Sequence, residues 1–248
     1  MKISIVINVL CSYEVVRRQL LHFKKMDLPE GVEIIIIDDG SNPPIPTPNV
    51  WDVPINLMFW RTEDKRPWTQ GLARNAGAKL AKGEYLMMTD IDHIFSKEAI
   101  MATYEYVGDK MVFPRHYGAL NENGDLVTDL EGLLPYGLNV DRLKGRRGWS
   151  AGFHGNTFAI KRSIFMELGG YEEKRCVGMM HQGKRRGEDI YFSLAYNNAM
   201  CQGKYKPIDT GPKMYMFPIG RFHVNGDTNP GGLFHNLSYD LTPQPMMP

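Results

Sequence analysis

Residues 32–41 read VEIIIIDDGS, an apolar and mostly β-branched run that ends abruptly in two aspartates, a glycine and a serine. Such a run, followed directly by turn-forming residues, predicts a buried strand at Val32–Ile37 that stops at a loop. Upstream, the β-branched run Ile3–Leu10 predicts another strand, and the apolar spacing within Ser12–Met26 predicts a helix after it. Strand, helix and strand in this order indicate a βαβ unit, in which the two strands run parallel.

The same alternation of strands and helices continues downstream. The proline-rich segment 42–54 predicts a surface connection, because proline fits neither a helix interior nor a central strand. After it we expect a short strand at Leu57–Trp60 and a helix at Thr69–Ala81, which Gly83 ends. A further strand is expected at Glu84–Met88. The chain therefore predicts an α/β fold with a mostly parallel central sheet flanked by helices.

Beyond residue 100 the pattern is less regular, which indicates a smaller subregion beside the main sheet. The elements predicted there are a strand at Met111–Pro114, a hairpin around Asn121–Asp125, a strand at Asn156–Ile160, a helix at Arg162–Leu168, a loop at Lys174–Gly187 and a helix that begins near Glu188. We expect one domain over residues 1–240 and a frayed tail at residues 241–248.

Composition excludes several classes of function. The 248 residues include 29 Lys and Arg and 28 Asp and Glu, a net charge of +1, so no overall field attracts nucleic acid or an anionic membrane. Cys11, Cys176 and Cys201 show neither CxxC spacing nor a Cys/His cluster, which indicates reduced thiols rather than a zinc site. No uninterrupted apolar stretch is long enough to cross a bilayer. We therefore expect a cytoplasmic protein with no integral membrane segment.

Two acidic pairs, Asp38/Asp39 and Asp90/Asp92, directly follow predicted strands. The carboxyl ends of parallel strands share one edge of the sheet, and ligands bind at that edge. Carboxylates gathered there repel each other unless a cation or hydrogen-bond donors lie between them. In the triplet Asp-x-Asp, one carboxylate can bind a hard divalent cation while the other binds a hydroxyl or a metal-bound water. The alternative is a solvated turn, because such triplets are common on protein surfaces.

Five segments, taken together and in order, resemble the inverting glycosyltransferases of family 2: ISIVINV, EIIIIDDGS, GLARNAGAKLAKGEYLMMTDID, HGNTFAIKRSIFMELGGYEE and RRGEDIYFSLAY. The resemblance extends over residues 3–200. It implies a Rossmann-like GT-A fold, a nucleotide-diphospho-sugar donor, commonly a UDP-sugar, and Mn²⁺ or Mg²⁺ as cofactor. We expect residues 1–100 to form the half that binds this donor and residues 101–240 to form the half that binds the acceptor.

The resemblance also implies roles for individual residues. Asp90 and Asp92 stand at the metal-binding Asp-x-Asp, and Asp189, in the pair Glu188–Asp189, stands at the catalytic base. The implied nucleotide-binding residues are Asn8, Val9, Leu10, Asp38, Asp39, Arg74, Asp90 and Ile91. The resemblance implies inversion, with retention as the alternative. Asp189 is the expected general base, because direct displacement needs a carboxylate on the acceptor side to take the hydroxyl proton. Alternatively, Glu188 and Asp189 only cap the predicted helix.

His223 is the predicted third metal ligand, because a neutral imidazole can complete a site made of carboxylates. A structural role is the alternative for this histidine, and His93 and His235 are the other candidates. Residues predicted on the acceptor or donor-sugar side are Trp149, His154, Asn156 and Arg186. An exposed tryptophan can stack on a sugar ring and an arginine can bind phosphate, although a core tryptophan beside a solvated basic turn fits the same pattern. The basic run Lys184–Arg186 predicts a loop that closes over the diphosphate.

Two other functions fit part of the pattern. Nucleotidyltransferases also use acidic strand ends and a metal, but they usually show a Gly-rich, basic signature after the first strand, and Asn8–Glu14 shows none. A sugar- or nucleotide-binding module without activity is the other alternative, against which the presence of Asp90, Asp92 and Asp189 argues. The acceptor stays open among a glycan, a small molecule, a protein side chain and a modified DNA base, and so does the oligomeric state.

Overall fold

The computed structural model describes residues 1–41, 44–46, 56–62, 69–144, 148–176 and 187–218. The described strands are β1 (Ile3–Val9), β2 (Val32–Asp38), β3 (Leu57–Arg61), β4 (Tyr85–Asp90), β5 (His93–Ile94), β6 (Lys110–Val112), β7 (Arg115–Tyr117), β8 (Ala119–Leu120), β9 (Leu126–Val127), β10 (Ser150–Gly152), β11 (Phe158–Lys161), β12 (Asp209–Thr210) and β13 (Met214–Met216). The described α-helices are α1 (Tyr13–Lys25), α2 (Gln70–Leu80), α3 (Lys97–Tyr104), α4 (Leu130–Leu133), α5 (Val140–Leu143), α6 (Arg162–Glu167) and α7 (Glu188–Cys201). Short 3₁₀ turns lie at Leu134–Tyr136 and Glu173–Arg175.

Most of the predicted elements are confirmed. The regular first part of the chain forms β1, α1, β2, β3, α2 and β4 at the predicted places, and β11, α6 and α7 follow where the later strand and helices were expected. The hairpin is also confirmed, because β8 and β9 pair antiparallel with Ala119 opposite Val127. The tail at residues 241–248 lies outside the described residues, as does the part of the predicted loop at residues 177–186.

The main sheet has the strand order β12-β6-β11-β4-β1-β2-β3. Its strands β4, β1, β2 and β3 are mutually parallel, as the βαβ pattern predicted. Strand β11 runs antiparallel to both of its neighbours, β4 and β6. The sheet is therefore mostly parallel, with one reversed strand that carries the chain back beside β4.

Helices cover both faces of this sheet. Alternate residues of β1 point to opposite faces, so Ile5 packs with α1 and α3 in one core while Val6 packs with α2, α6 and α7 in the other. Helix α2 lies close to the sheet at Gly77, where a Cβ would come within 2.4 Å of Cγ1 of Val6. Glycine at this position therefore allows the close approach of α2.

The register of the parallel strands brings both acidic pairs to one edge. Val9 of β1 lies opposite Asp38 of β2, and Asn8 lies opposite Asp90 of β4. The carboxyl ends of β1, β2 and β4 thus meet side by side, as expected of an open α/β sheet.

A second sheet, with the order β10-β7-β13-β5, adjoins this edge. It contains His93 in β5 and Arg115 in β7, and β10 ends two residues before His154. These strands have two or three residues each and were not predicted. Within the described residues, no helix combines the length and the apolar character needed to span a membrane.

Candidate active site

The first acidic pair lies where β2 ends: Asp38 is the last residue of the strand and Asp39 begins the loop. The two oxygens of Asp38 accept hydrogen bonds from the backbone N–H groups of Ser41 and Ile45, at 2.8 and 3.1 Å, so this buried carboxylate shapes its own loop. Oδ1 of Asp39 accepts from the hydroxyls of Thr62 and Thr69, at 3.2 and 2.8 Å. Because Thr69 is the N-cap residue of α2, Asp39 ties the β2 loop to the start of that helix.

Helix α2 places Arg74 in contact with Asp90, the first aspartate of the Asp90/Asp92 pair. Arg74 is fully buried, and its Nη2 donates to Oδ1 of Asp90. Its guanidinium also lies over the ring of Tyr171, at 5.8 Å from the centroid. Burial alone would raise the pKa of Asp90, but the charge of Arg74 and the two neighbouring imidazoles outweigh it and hold that pKa at about 2. Asp90 therefore stays ionised.

Several donors and acceptors at this edge lack a hydrogen-bond partner among the described residues. They are Nε and Nη1 of Arg74, the hydroxyl of Tyr171, Oδ1 of Asn8 and Oδ1 of Asn156. A buried polar group without a partner costs free energy, and most such groups in native proteins are paired with protein, water or a ligand. These groups mark the edge as a place for a polar ligand.

Asp92 shares this edge with Asp90. Burial and the negative charge of Asp90 together raise the pKa of Asp92 to about 6. Burial is the larger cause and repulsion by Asp90 the second, and a cation between the two carboxylates would relieve that repulsion. The structure therefore brings the predicted metal-binding pair together.

Two histidines lie beside Asp90. Nδ1 of His154 is 3.3 Å from Oδ2 of Asp90, and the two imidazole rings of His93 and His154 meet edge to face with centroids 5.0 Å apart. One potential ligand atom from each of Asp90, His93 and His154 lies within 4.8 Å of the others. Burial lowers the pKa of His154 and lowers that of His93 to about 4, so both imidazoles are neutral near pH 7.

Glu188 and Asp189 are the first two residues of α7 and lie near Arg74 and Tyr171. The helix follows Gly187, whose φ of 70° lies in the left-handed region. Oδ1 of Asp189 accepts from the N–H of Ile190 at 2.9 Å, and its Oδ2 lies 2.7 Å from where a Cβ on Gly155 would be. Glu188 is buried, and its charge acts on Arg74.

The buried hydroxyl of Tyr171 lies near several of these charged groups. Burial raises the pKa of this hydroxyl, with further effects from the charges of Arg74, Asp90, Asp189 and Glu188. Residues from β4, α2 and α7 thus lie within electrostatic reach of one phenol. Tyr171 was not singled out from the sequence, although it stands inside the quoted segment that ends in GGYEE.

The remaining predicted residues are distributed as follows. Val9 is fully buried in the core, so only its backbone faces the edge, whereas Leu10 and Ile91 are half-buried. Trp149 is 37% exposed just before β10, and Asn156 is buried. His223 and Arg186 lie outside the described residues. Arg115, which donates to the carbonyls that precede His154, carried no signal in the sequence.

An α/β sheet with ionised carboxylates at its carboxyl edge, faced by a further carboxylate at a helix start, has the architecture of a GT-A glycosyltransferase. The family model described as "Glycosyl transferase family 2" matches residues 4–169. Because this match spans more than half of the sequence, the chain belongs to glycosyl transferase family 2.

Similar proteins agree with this assignment. The chain is 29% identical to the poly(ribitol-phosphate) beta-N-acetylglucosaminyltransferase TarP of Staphylococcus aureus (strain N315) over 136 residues, which are 55% of this chain and 37% of TarP. It also resembles the crystal structure of S. aureus TarS, with a TM-score of 0.56, 18% identity and coverage of 87% of this chain and 36% of that chain. The chain thus spans little more than a third of the length of either protein.

Two further solved structures contain ligands. A fragment of S. aureus TarS in complex with UDP matches with a TM-score of 0.57 and 17% identity, over 87% of this chain and 60% of that chain. The mannosyltransferase PcManGT from Pyrobaculum calidifontis, in complex with GDP-Man and Mn²⁺, matches with a TM-score of 0.53 and 14% identity, over 87% of this chain and 56% of that chain. At these identities the matches establish the fold, which is GT-A as the sequence predicted.

Proposed function

We propose that this chain transfers a sugar, with inversion, from a nucleotide-diphospho-sugar, most simply a UDP-sugar, to a hydroxyl of an acceptor. The observation that carries the proposal is the contact chain at the carboxyl edge of the sheet: Arg74 donates to Asp90, Asp90 faces His154, and the next residue, Gly155, lies against Asp189. This arrangement combines a charged site for a diphosphate with a carboxylate that can accept a proton. Family membership favours glycosyl transfer over nucleotidyl transfer.

The nucleotide is proposed to bind where β1 and β2 end, in the half formed by residues 1–100. Asn8 has a buried side-chain oxygen without a partner among the described residues, and it lies between Ile37 and Asp90 in the sheet. Asp39 is proposed to contact the base or ribose, and Asp38, whose two oxygens accept from N–H groups of the β2 loop, is proposed to shape that loop around the nucleotide. The complexes of TarS with UDP and of PcManGT with GDP-Man support a nucleotide diphosphate in such a fold.

The divalent ion is proposed to be Mn²⁺ or Mg²⁺, with Asp90 and Asp92 as ligands. The donor set fits such an ion, because Asp90 is ionised and the two carboxylates repel each other in its absence. A bound divalent ion would neutralise the diphosphate and stabilise it as a leaving group. Arg74 holds the carboxylate of Asp90 through Oδ1, while Oδ2 faces Nδ1 of His154 at 3.3 Å.

The proton of the acceptor hydroxyl is proposed to pass to Asp189. Oδ1 of Asp189 is held by the N–H of Ile190, and the carboxylate rests against the backbone at Gly155, so its position is fixed from both sides. Glu188 is buried beside Arg74 and is proposed to orient that residue rather than to meet the acceptor.

The acceptor is proposed to approach from the half formed by residues 101–240, where the exposed ring of Trp149 can stack on a sugar. The single-domain arrangement over residues 1–240 is part of this proposal. A cytoplasmic location also belongs to it and is supported by the free cysteines, of which Cys11 and Cys176 are buried.

A thermal-shift experiment tests the proposal. The purified chain is heated with UDP, GDP, ADP, CDP and TDP, each with and without Mn²⁺. At least one diphosphate should raise the melting temperature only when Mn²⁺ is present, and the matching nucleotide-sugars should then release that diphosphate slowly by hydrolysis. If no diphosphate stabilises the chain in the presence of Mn²⁺, the proposal is wrong. Formation of a nucleotide-sugar and pyrophosphate from a nucleoside triphosphate and a sugar phosphate would indicate nucleotidyl transfer. Binding of a nucleotide-sugar with no transfer to any class of acceptor would indicate a binding module.

A further inference from the structure

The two carboxylate oxygens of Asp90 contact different residues. Its Oδ1 accepts from Nη2 of buried Arg74, and its Oδ2 faces Nδ1 of His154 at 3.3 Å. The Arg74 contact fixes the orientation of the carboxylate, so Oδ2 and the imidazole point at each other. The nature of that second contact depends on whether Nδ1 carries a proton.

The backbone points to an unprotonated Nδ1. The N–H of Asn156 donates to Nδ1 of His154 at 3.3 Å, and a nitrogen that accepts a hydrogen bond carries a lone pair. In that tautomer Nδ1 cannot donate to Asp90, and two acceptor atoms face each other. A cation between the two atoms would remove this conflict. The separation suits such an ion, because two ligand atoms about 2.1 Å from one octahedral ion lie roughly 3 Å apart.

His93, the other histidine of the cluster, is already engaged. Nη1 of Arg115 lies 2.9 Å from Nε2 of His93, and Oγ1 of Thr157 lies 2.7 Å from Nδ1. A guanidinium can only donate, so Nε2 of His93 is an acceptor and Nδ1 carries the proton. Both ring nitrogens of His93 thus have partners, and a guanidinium occupies the side where an ion would bind.

The same arginine fixes the segment that carries His154. Besides His93, Arg115 donates to the carbonyl oxygens of Ala151, Gly152 and Phe153, at 3.0 to 3.1 Å. These are the three residues that precede His154 in the chain. Arg115 and the edge-to-face ring of His93 therefore hold the imidazole of His154 against Asp90.

We infer that His154 is a direct ligand of the divalent ion, bound together with Asp90 Oδ2, and that His93 and Arg115 position it. The inference rests on the proposed function for the presence of an ion, and it assigns to His154 a different role from the sugar contact expected from the sequence. An imidazole nitrogen among carboxylate oxygens favours a transition-metal ion over Mg²⁺. His154 would thus be the residue that makes the site select Mn²⁺.

The test measures the Kd for Mn²⁺ in the presence of UDP. Binding is detected as a decrease in the electron paramagnetic resonance signal of free Mn²⁺. His154→Ala and His154→Gln are each compared with wild type, with Asp90→Asn, with His223→Ala and with the matched control His116→Ala, a histidine of β7 outside the cluster. The two His154 variants and Asp90→Asn should each raise the Kd for Mn²⁺ about 10-fold or more, while His116→Ala should leave it unchanged. They should also narrow the difference between Mn²⁺ and Mg²⁺ affinity, measured by competition.

The outcomes distinguish failure of the metal-ligand role of His154 from failure of the proposed metal dependence itself. The melting temperature of each metal-free variant shows whether it is folded, and the glutamine variant keeps a side chain of similar length if alanine disturbs the loop. Wild-type Mn²⁺ affinity in both folded His154 variants would overturn the inference, and so would loss of binding in His223→Ala with no loss in the His154 variants. If wild-type protein itself does not retain Mn²⁺ with UDP, the metal dependence in the proposed function fails as well.

Discussion

Gly155 lies directly against the carboxylate of Asp189: a Cβ on Gly155 would come within 2.7 Å of Oδ2 and 3.2 Å of Cβ and Cγ of that residue. Gly155 follows His154, whose imidazole faces Asp90. The loop between β10 and β11 thus touches the acidic strand end with one residue and the start of α7 with the next. This loop fixes the distance between the proposed metal-binding group and the proposed base.

Gly155→Ala should displace Asp189 without unfolding the chain. The φ angle of Gly155 is outside the positive range that disfavours other residues, so the added methyl group meets only the contact with Asp189. We expect kcat to fall on the order of 100-fold, with a smaller change in donor binding, because a misplacement of about 1 Å in catalytic geometry has such effects. The measurement is steady-state kinetics with donor binding determined separately.

A double-mutant cycle with Asp189→Asn is the control for that prediction. If Gly155→Ala acts through Asp189, its effect on kcat should vanish in the Asp189→Asn background. An equal loss in both backgrounds would mean that Gly155 matters for another reason.

Asp189→Asn should slow transfer sharply while donor binding survives. Removal of a general base costs about 10²- to 10⁴-fold in rate, whereas the amide keeps the shape of the side chain. Turnover of the acceptor and thermal stabilisation by the Mn²⁺–nucleotide complex are measured on the same preparation. Full turnover by Asp189→Asn would exclude Asp189 as the base.

Arg74→Met should destabilise the fold more than any exposed charge substitution. It would leave the carboxylates of Asp90 and Glu188 near an apolar site, and removal of one partner from a buried ion pair costs about 3–5 kcal/mol. Denaturant unfolding measures the change. The double variant Arg74→Met/Asp90→Asn should regain part of the loss, and additive losses would show that the ion pair does not account for the cost.

The buried ammonium of Lys110 should make the free energy of unfolding depend on pH. This ammonium lies over the rings of Phe158, Phe192 and Tyr196, at 4.8 to 5.4 Å, and burial lowers its pKa to about 8. The unfolded chain therefore binds the proton more tightly than the folded chain, so the free energy of unfolding should rise as the pH increases from 8 towards 10. The cost of the buried charge is fully present below pH 8.

Lys110→Met supplies the comparison. It removes the buried charge at similar length, so its stability at pH 7 should equal or exceed that of wild type, and wild type should approach it by pH 9.5. Titrations shared by both proteins cancel in the difference between their free energies of unfolding. A difference that is independent of pH would contradict the role assigned to Lys110.

The sequence predicted the parts of the site that depend on long, regular elements. The run Val32–Ile37 and the strand before Asp90 are apolar and bounded by turn residues, and parallel pairing then places their carboxyl ends together. The order of the family-2 segments along the chain added Asp189 to the predicted site. These residues therefore followed from periodicity, topology and family resemblance.

The second sheet did not follow from the sequence, and the physical reason is its short strands. Two or three residues, as in β5, β7 and β10, are too few to show an alternating pattern. Arg115 and Tyr171 act through contacts between residues far apart in the chain, such as the bond from Arg115 to His93. Helix α3, which Ser96 caps by accepting from the N–H of Ala99, was also missed.

We propose that the edge shared by Asp90, Asp92 and Asp189 holds a nucleotide diphosphate through a divalent ion. A crystal structure of the chain with UDP and Mn²⁺, recorded at a wavelength at which manganese scatters anomalously, would locate both ligands. We expect one anomalous peak within about 2.3 Å of a carboxylate oxygen of Asp90 or Asp92, in contact with the diphosphate and on the side that Asp189 faces. A nucleotide bound elsewhere on the chain, or bound at this edge with no manganese beside the two aspartates, would rule this arrangement out.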